Sequence, residues 1–188
     1  MVRDTPRAGR DVNDGRPLIV TALLPKDMHH WATGLRTRYF PPERNYLDAH
    51  VTLFHAIPAH SEAETRSVLT RLARSCAPVP GRLEGLMPLG GGTALKLSSP
   101  DMLTLRDAIA DHLHGLLTAQ DQHRPRLHVT IQNKVPAKEA KALQAELANT
   151  IEPRGFEFRG LGLYYYDGGP WEEAGEYVFR GQHRVDAM

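Results

Sequence analysis

HVTLFHAIPA at residues 50–59 and HVTIQNKVPA at residues 128–137 are two versions of one stretch. Aligned without a gap, they share His, Val, Thr, Pro and Ala, and exchange Leu for Ile and Ile for Val. Each reads as a β-strand, in which residues two apart share a face. His50, Thr52 and Phe54 then point one way, with Val51 and Leu53 opposite. In the second copy His128, Thr130, Gln132 and Lys134 share a face, with Val129 and Ile131 opposite. Each strand is expected to bury its apolar face under helices and to present His and Thr on the other.

The flanking sequence repeats the same order. PLIVTALLP (17–25) predicts a strand buried on both faces, and Pro25 opens a helix carrying Met28, Trp31 and Leu35. FPPERN (40–45) stops it, and the first motif strand runs over about 47–57. Ser61 with Glu64 has the form of a capping box, Val68, Leu69, Leu72 and Cys76 mark a helix face, and RLEGLMPL (82–89) reads as a strand. GGG (90–92) is a turn, because it lacks the Lys-Ser/Thr of a phosphate loop. A strand (93–99), a helix opened by Pro100, the second motif strand (about 126–135) and a helix with Ala140, Leu143 and Leu147 follow. The chain ends with a strand GFEFRGLGLYYY (155–166), a turn DGGPW (167–171) and a strand EYVFR (176–180). Helix-opening proline to motif histidine is nearly the same interval in both passes, Pro25 to His50 and Pro100 to His128. That predicts a duplication, with pseudo-repeats of about 17–89 and 93–180 inside one bilobal domain spanning 17–188.

With 188 residues, 41% hydrophobic and 24% charged, the chain has the make-up of a globular protein able to bury a sizeable core. A formal charge of +1 gives no global field for gripping a long polyanion, while leaving a local positive cleft open. Cys76 is the only cysteine, which excludes an intrachain disulfide and any cysteine-rich metal site. No apolar run reaches the length of a membrane span, and residues 1–16 read as a disordered lead-in rather than a signal peptide. A monomeric, cytoplasmic protein is the expectation.

Two lobes packed as mates would bring both His-Thr pairs to one cleft. Imidazole, with an ordinary pKa of about 6.5, serves as base or acid near neutrality. Phosphodiester displacement needs both roles, one taking a proton from the attacking oxygen and the other giving one to the leaving oxygen, each worth roughly 10²–10⁴ in rate. A threonine hydroxyl two residues on can donate to a non-bridging phosphate oxygen. No metal or cofactor is required by such chemistry. The plain alternative is a chance pair of His-x-Thr strands; the shared frame and the matching position in both passes argue against it. Among other residues, Arg126 and Gln132 share the inferred face of His128 and reach phosphate or ribose, and Tyr164, Tyr165 or Tyr166 offers a stacking surface. Trp171 is read as packing its turn, and Arg36, Arg38 and Arg44 as solvated. A metal centre on His50, His55 and His60 fails because His55 faces away and His60 lies beyond Pro58, while His112 and His114 diverge by roughly 200° on a helix.

HVTLF (50–54) and HVTIQ (128–132) in a duplicated α/β chain resemble the 2H phosphoesterase superfamily, most closely the bacterial 2′-5′ RNA ligase and RNA 2′,3′-cyclic phosphodiesterase group. The resemblance covers about residues 17–180. It implies an α+β bilobal fold, with two antiparallel sheets facing a central groove and helices outside. It also implies metal-independent opening of 2′,3′-cyclic phosphates, on RNA ends or small cyclic nucleotides, to 2′-phosphates. Carried over by position, His50 and His128 are the acid/base pair, and Thr52 and Thr130 the phosphate clamps. Gln132, Lys134 and Tyr165 complete the expected substrate-binding set. Ligase-type members often carry Arg where this chain has Asn133, and Lys134 is expected to supply that charge by sharing the face of His128. The first motif ends in HAIP rather than a Phe-Leu-Gly type ending. Rival readings of the same groove are 2′-5′ ligation or another phosphodiester reaction, a non-catalytic RNA- or nucleotide-binding module, and a metal-dependent hydrolase.

Overall fold

A computed structural model describes residues 15–185, so the expected lead-in lies almost wholly outside the described residues. The described residues form eight strands and four α-helices in the order β1 (Leu18–Leu23), α1 (Lys26–Tyr39), β2 (Val51–Ile57), α2 (Glu62–Ser75), β3 (Val79–Pro88), β4 (Thr93–Ser98), α3 (Pro100–His112), β5 (His128–Gln132), α4 (Ala137–Leu147), β6 (Arg154–Phe158), β7 (Gly160–Tyr165) and β8 (Glu172–Val178). They build two four-stranded sheets, ordered β2-β1-β7-β8 and β5-β4-β3-β6, with antiparallel pairing throughout. The α+β architecture anticipated from the motifs is the one observed.

The halves of the chain and the two sheets do not coincide. The first half ends in β3, which pairs β4 in the sheet of the second half. The second half ends by sending β7 back to pair β1. The stretch 155–166, read as one strand, is therefore two. β6 pairs β3 in one sheet, and past Arg159 the chain enters the other sheet as β7. The apolar alternation shifts phase there, from Phe156 and Phe158 to Leu161 and Leu163, a break that the reading as a single strand passes over.

Helix faces follow the sequence pattern. Met28, Ala32 and Arg36 of α1 are buried, as are Val68, Leu69 and Leu72 of α2, Met102, Leu105 and Ile109 of α3, and Ala140, Leu143 and Leu147 of α4. Ser99 caps α3 by accepting from the Met102 amide at 3.1 Å. Ser61 stands at the start of α2 but forms no capping box; its hydroxyl donates to the Pro58 carbonyl at 2.7 Å instead. Gly90 turns β3 into β4 at φ +73°, a conformation that a side chain disfavours. One buried apolar cluster, including Leu18, Val51, Leu95, Val129 and Leu161, runs through both sheets. No helix among the described residues is long and apolar enough to cross a membrane.

Both motif strands are sheet edges, β2 in one sheet and β5 in the other. Each free edge is covered by the opposite half. α1 packs on β5, and the loop after α3 brings Asp121 to β2, where its buried carboxylate accepts the backbone N–H groups of His55 (2.9 and 3.0 Å) and Ala56 (2.9 Å). Unpaired edge amides thereby gain partners that a sheet edge otherwise lacks.

Candidate active site

His50 immediately precedes β2 and His128 opens β5. The two imidazoles are held alike. His50 Nδ1 lies 2.7 Å from the Asp48 carbonyl, and His128 Nδ1 lies 2.7 Å from the Arg126 carbonyl. A carbonyl oxygen only accepts, so in each ring Nδ1 carries the hydrogen. In the neutral ring the lone pair is then on Nε2. Thr52 and Thr130 are half-buried, and neither hydroxyl is engaged with another described group. Val51 and Val129 are fully buried beside them.

The alternation stops at the same place in both motifs. On β1 the partners of Phe54 and Thr52 are the adjacent Val20 and Thr21, so Leu53 is an extra residue. On β4 the partners of Gln132 and Thr130 are the adjacent Thr93 and Ala94, so Ile131 is extra. A bulge leaves its extra residue unpaired and resets which face the next residue meets. Phe54 is consequently fully buried, and Gln132 is 3% exposed, accepting from the Thr93 hydroxyl at 3.4 Å. Gln132 therefore departs from its expected place beside substrate. The parity that put Lys134 on the face of His128 is broken by the same bulge. Lys134 lies beyond β5, exposed, in the left-handed conformation at φ +61°.

Tyr165 departs from the expected set as well. Its hydroxyl donates to Glu62 at 2.6 Å and accepts from Arg66 at 3.0 Å, both on α2. On β7 it shares a face with the buried Leu161 and Leu163, and it is Tyr164 that faces the site. The Tyr164 ring meets Trp171 at 5.6 Å, and Trp171 in turn lies 4.6 Å from the His50 ring. Trp171, read from sequence as a turn-packing residue, is thus a wall of the His50 site. Beside it opens a cavity of about 500 Å³, lined among others by Lys26, His29, Tyr46, Arg159, Trp171 and Glu173.

Burial lowers the His50 imidazole to about 4, against the favourable carbonyl of Asp48, and positive charge on Arg36, His128 and His55 lowers it further. His50 is therefore neutral at pH 7, and His128 is within electrostatic reach of it.

Arg36, expected to be solvated, is 3% exposed. Its Nη1 donates to the Thr130 carbonyl (2.6 Å), Nε to the Leu47 carbonyl (3.0 Å) and Nη2 to Asn45 Oδ1 (3.0 Å). One guanidinium on α1 thus joins the second motif to the loop that delivers His50. Burial lowers it to about 10, opposed by Asp48, so it stays charged. The only sequence signal was its place two turns beyond Met28 and one beyond Ala32 on the buried face. On the far side of β2, Arg106 is also buried. It donates to the Asp121 carbonyl and stacks over Phe54 at 4.5 Å. Burial alone would raise the Asp121 carboxyl; hydrogen bonds from the His55 ring and from two backbone amides overcome this and hold it below its ordinary value.

A family model described as the 2′-5′ RNA ligase superfamily matches residues 24–170. Among solved structures, TT0787 of Thermus thermophilus is similar with a TM-score of 0.60 at 20% identity, over 89% of this chain and 100% of that one. E. coli LigT complexed with NADP+ gives 0.58 at 15% identity, over 88% of this chain and 99% of that one. LigT complexed with 3′-AMP gives 0.58 at 16%, over 90% and 100%. At these identities the likeness is one of fold. No curated protein matches the chain significantly.

Proposed function

The chain belongs to the 2′-5′ RNA ligase superfamily, among the 2H phosphoesterases, and from that premise we propose that it opens 2′,3′-cyclic phosphates on RNA ends or nucleotides to 2′-phosphates. One observation carries the reading. Two imidazoles are held through Nδ1 by the carbonyl two residues upstream, each followed by a threonine with an unengaged hydroxyl. Fixed tautomers with Nε2 available are what two-sided proton transfer requires. The solved complexes of LigT with 3′-AMP and with NADP+ support a nucleotide-type ligand for the groove.

In this mechanism His50, neutral because it is buried, takes the proton from a water that attacks phosphorus. A P–O bond forms to that water as the bond to O3′ breaks. His128 Nε2 gives its proton to O3′, leaving a 3′-hydroxyl and a 2′-phosphate. Thr52 and Thr130 donate to the non-bridging oxygens as charge gathers there. With a 5′-hydroxyl in place of water, the same proton transfers form a 2′-5′ bond.

The test is turnover of nucleoside 2′,3′-cyclic monophosphates and of a short RNA with a cyclic end, in chelator, with His50→Ala and His128→Ala alongside. Release of 2′-phosphate by the wild type, lost in both variants, is the expected result. Full activity in either variant, or inhibition by the chelator, overturns the mechanism. Tight nucleotide binding with no turnover of any cyclic phosphate favours a binding module.

A further inference from the structure

The two arms of the site differ in charge. The cavity beside His50 is lined by carboxylates as well as cations, with Asp48, Glu173 and Glu176 among its walls. Next to His128 lies a second cleft, of about 720 Å³, whose lining includes Lys96, Arg124 and Arg126 and no carboxylate. Its floor is apolar, formed by residues such as Leu86, Pro100 and Leu103.

Strand register ties this cleft to the catalytic arm. Lys96 on β4 stands directly opposite His128 on β5, and Lys96 is exposed while its neighbours Leu95 and Leu97 are buried. Directly paired residues of an antiparallel sheet share a face, so the ammonium rises on the side of the imidazole. Arg126 supplies the carbonyl that holds His128, and its own side chain lines the cleft. Asp107 takes up Arg124 through Nε at 2.7 Å. Glu84, which accepts from Ser98 at the rim (2.6 Å), faces Arg82 at 3.8 Å. Among the described residues neither Lys96 nor Arg126 has an ion-pair partner, so two cations stand over an apolar floor.

The geometry points to this cleft as the subsite for the RNA strand itself. The nucleotide preceding the terminal cyclic phosphate lays its base on the apolar floor, and the connecting phosphodiester meets Lys96 and Arg126. The inference rests on the proposed function and gives the substrate a direction: the polyanionic strand runs over the His128 arm, and the terminal nucleoside faces the cavity beside His50. Charge complementarity selects that direction, since a strand laid the other way meets Glu173 and Asp48. It also selects RNA over a mononucleotide, which cannot reach both cations and the cyclic-phosphate site.

The test compares binding of a fluorescein-labelled single-stranded hexaribonucleotide bearing a 3′-phosphate with that of a nucleoside 3′-monophosphate. Wild-type protein is run beside the double variants Lys96→Glu/Arg126→Glu and Lys96→Ala/Arg126→Ala. The hexamer is expected to bind about tenfold or more tighter than the mononucleotide in wild type, with that advantage lost in the first variant and reduced in the second. The slope of log Kd against log salt is expected to fall by about 1.4, as loss of two single-strand phosphate contacts requires. No hexamer advantage in wild type, or an advantage unchanged in both variants, overturns the subsite. An intact, variant-sensitive advantage with no turnover of any cyclic phosphate overturns the catalytic reading and leaves the subsite standing.

Discussion

Arg36 donates from Nη1 to the carbonyl of Thr130 at 2.6 Å, a bond between residues 94 positions apart. The donor lies on the first helix and the acceptor in the second motif. Through its other two nitrogens the same side chain holds the loop ahead of His50. The relative placement of the two histidine arms thus depends on one buried cation.

Arg36→Ala is expected to lower stability by roughly 2–4 kcal/mol, because it leaves buried acceptors unpaired. Arg36→Lys restores the charge but not the fork of donors. It is expected to recover part of that stability while kcat stays roughly 10²-fold down, the scale of a small misplacement at a reacting centre. Denaturant melts beside kcat measurements check this; full kcat in the lysine variant removes the positioning role.

Burial lowers the His50 pKa to about 4, and the Trp171 ring lies against it at 4.6 Å; in the proposed mechanism that value sets the acid limit of the base. Activity should fall as pH drops through about 4, where His50 takes a proton and loses its Nε2 lone pair. Trp171→Ala opens the ring to water and is expected to move its titration up toward the ordinary histidine value. Following the His50 ring proton by NMR from acid to neutral pH reads the shift directly, and an unmoved titration rejects the assignment.

Thr52→Val and Thr130→Val change a hydroxyl to a methyl of the same shape at positions where the hydroxyl has no described partner. Each is expected to cost about 10²-fold in kcat, the scale of one lost oxyanion donor. Thermal stability should stay within about 0.5 kcal/mol. Equal kcat in both variants and wild type excludes the clamp.

Asp121 is held below its ordinary pKa by groups on β2. A carboxylate with a depressed folded pKa adds stability that is present above its unfolded value near 3.9 and is lost as pH falls through the folded value. Wild type should therefore lose stability below about pH 4 faster than Asp121→Asn. At pH 7 the variant should be less stable by about 1.5–3 kcal/mol. Melting curves from acid to neutral pH for both proteins decide it.

Tyr165→Phe removes the hydroxyl shared by Glu62 and Arg66 on the outer face. About 1 kcal/mol of stability should go, with KM for a cyclic nucleotide unchanged. A raised KM would return Tyr165 to the substrate site.

What was legible in the sequence was whatever repeats locally. The paired His-x-Thr stretches, the helix faces and the Gly-rich turn at midpoint are short-range patterns, and they yielded the fold family and the two histidines and two threonines on which the proposed mechanism rests. The errors share one cause. Gln132 and Lys134 were assigned by counting in twos past Thr130, but Ile131 is a bulge residue, and a bulge depends on what β4 offers opposite. Tyr165 and Tyr164 differ only in which side of β7 carries α2. Trp171 gained its place because the turn between β7 and β8 sets its ring against His50.

Read as sequence alone, the chain already carries the residues of the proposed chemistry, because a residue type and its immediate spacing set what protons it can move and which face of a strand it starts on. Where the substrate-facing surface ends is a matter of long-range packing. Bulge positions, the exchange of last strands between sheets, and the burial of Arg36 are settled by partners remote in the chain. A buried guanidinium is tolerable only where carbonyls from distant segments converge on it, and such convergence leaves no local mark.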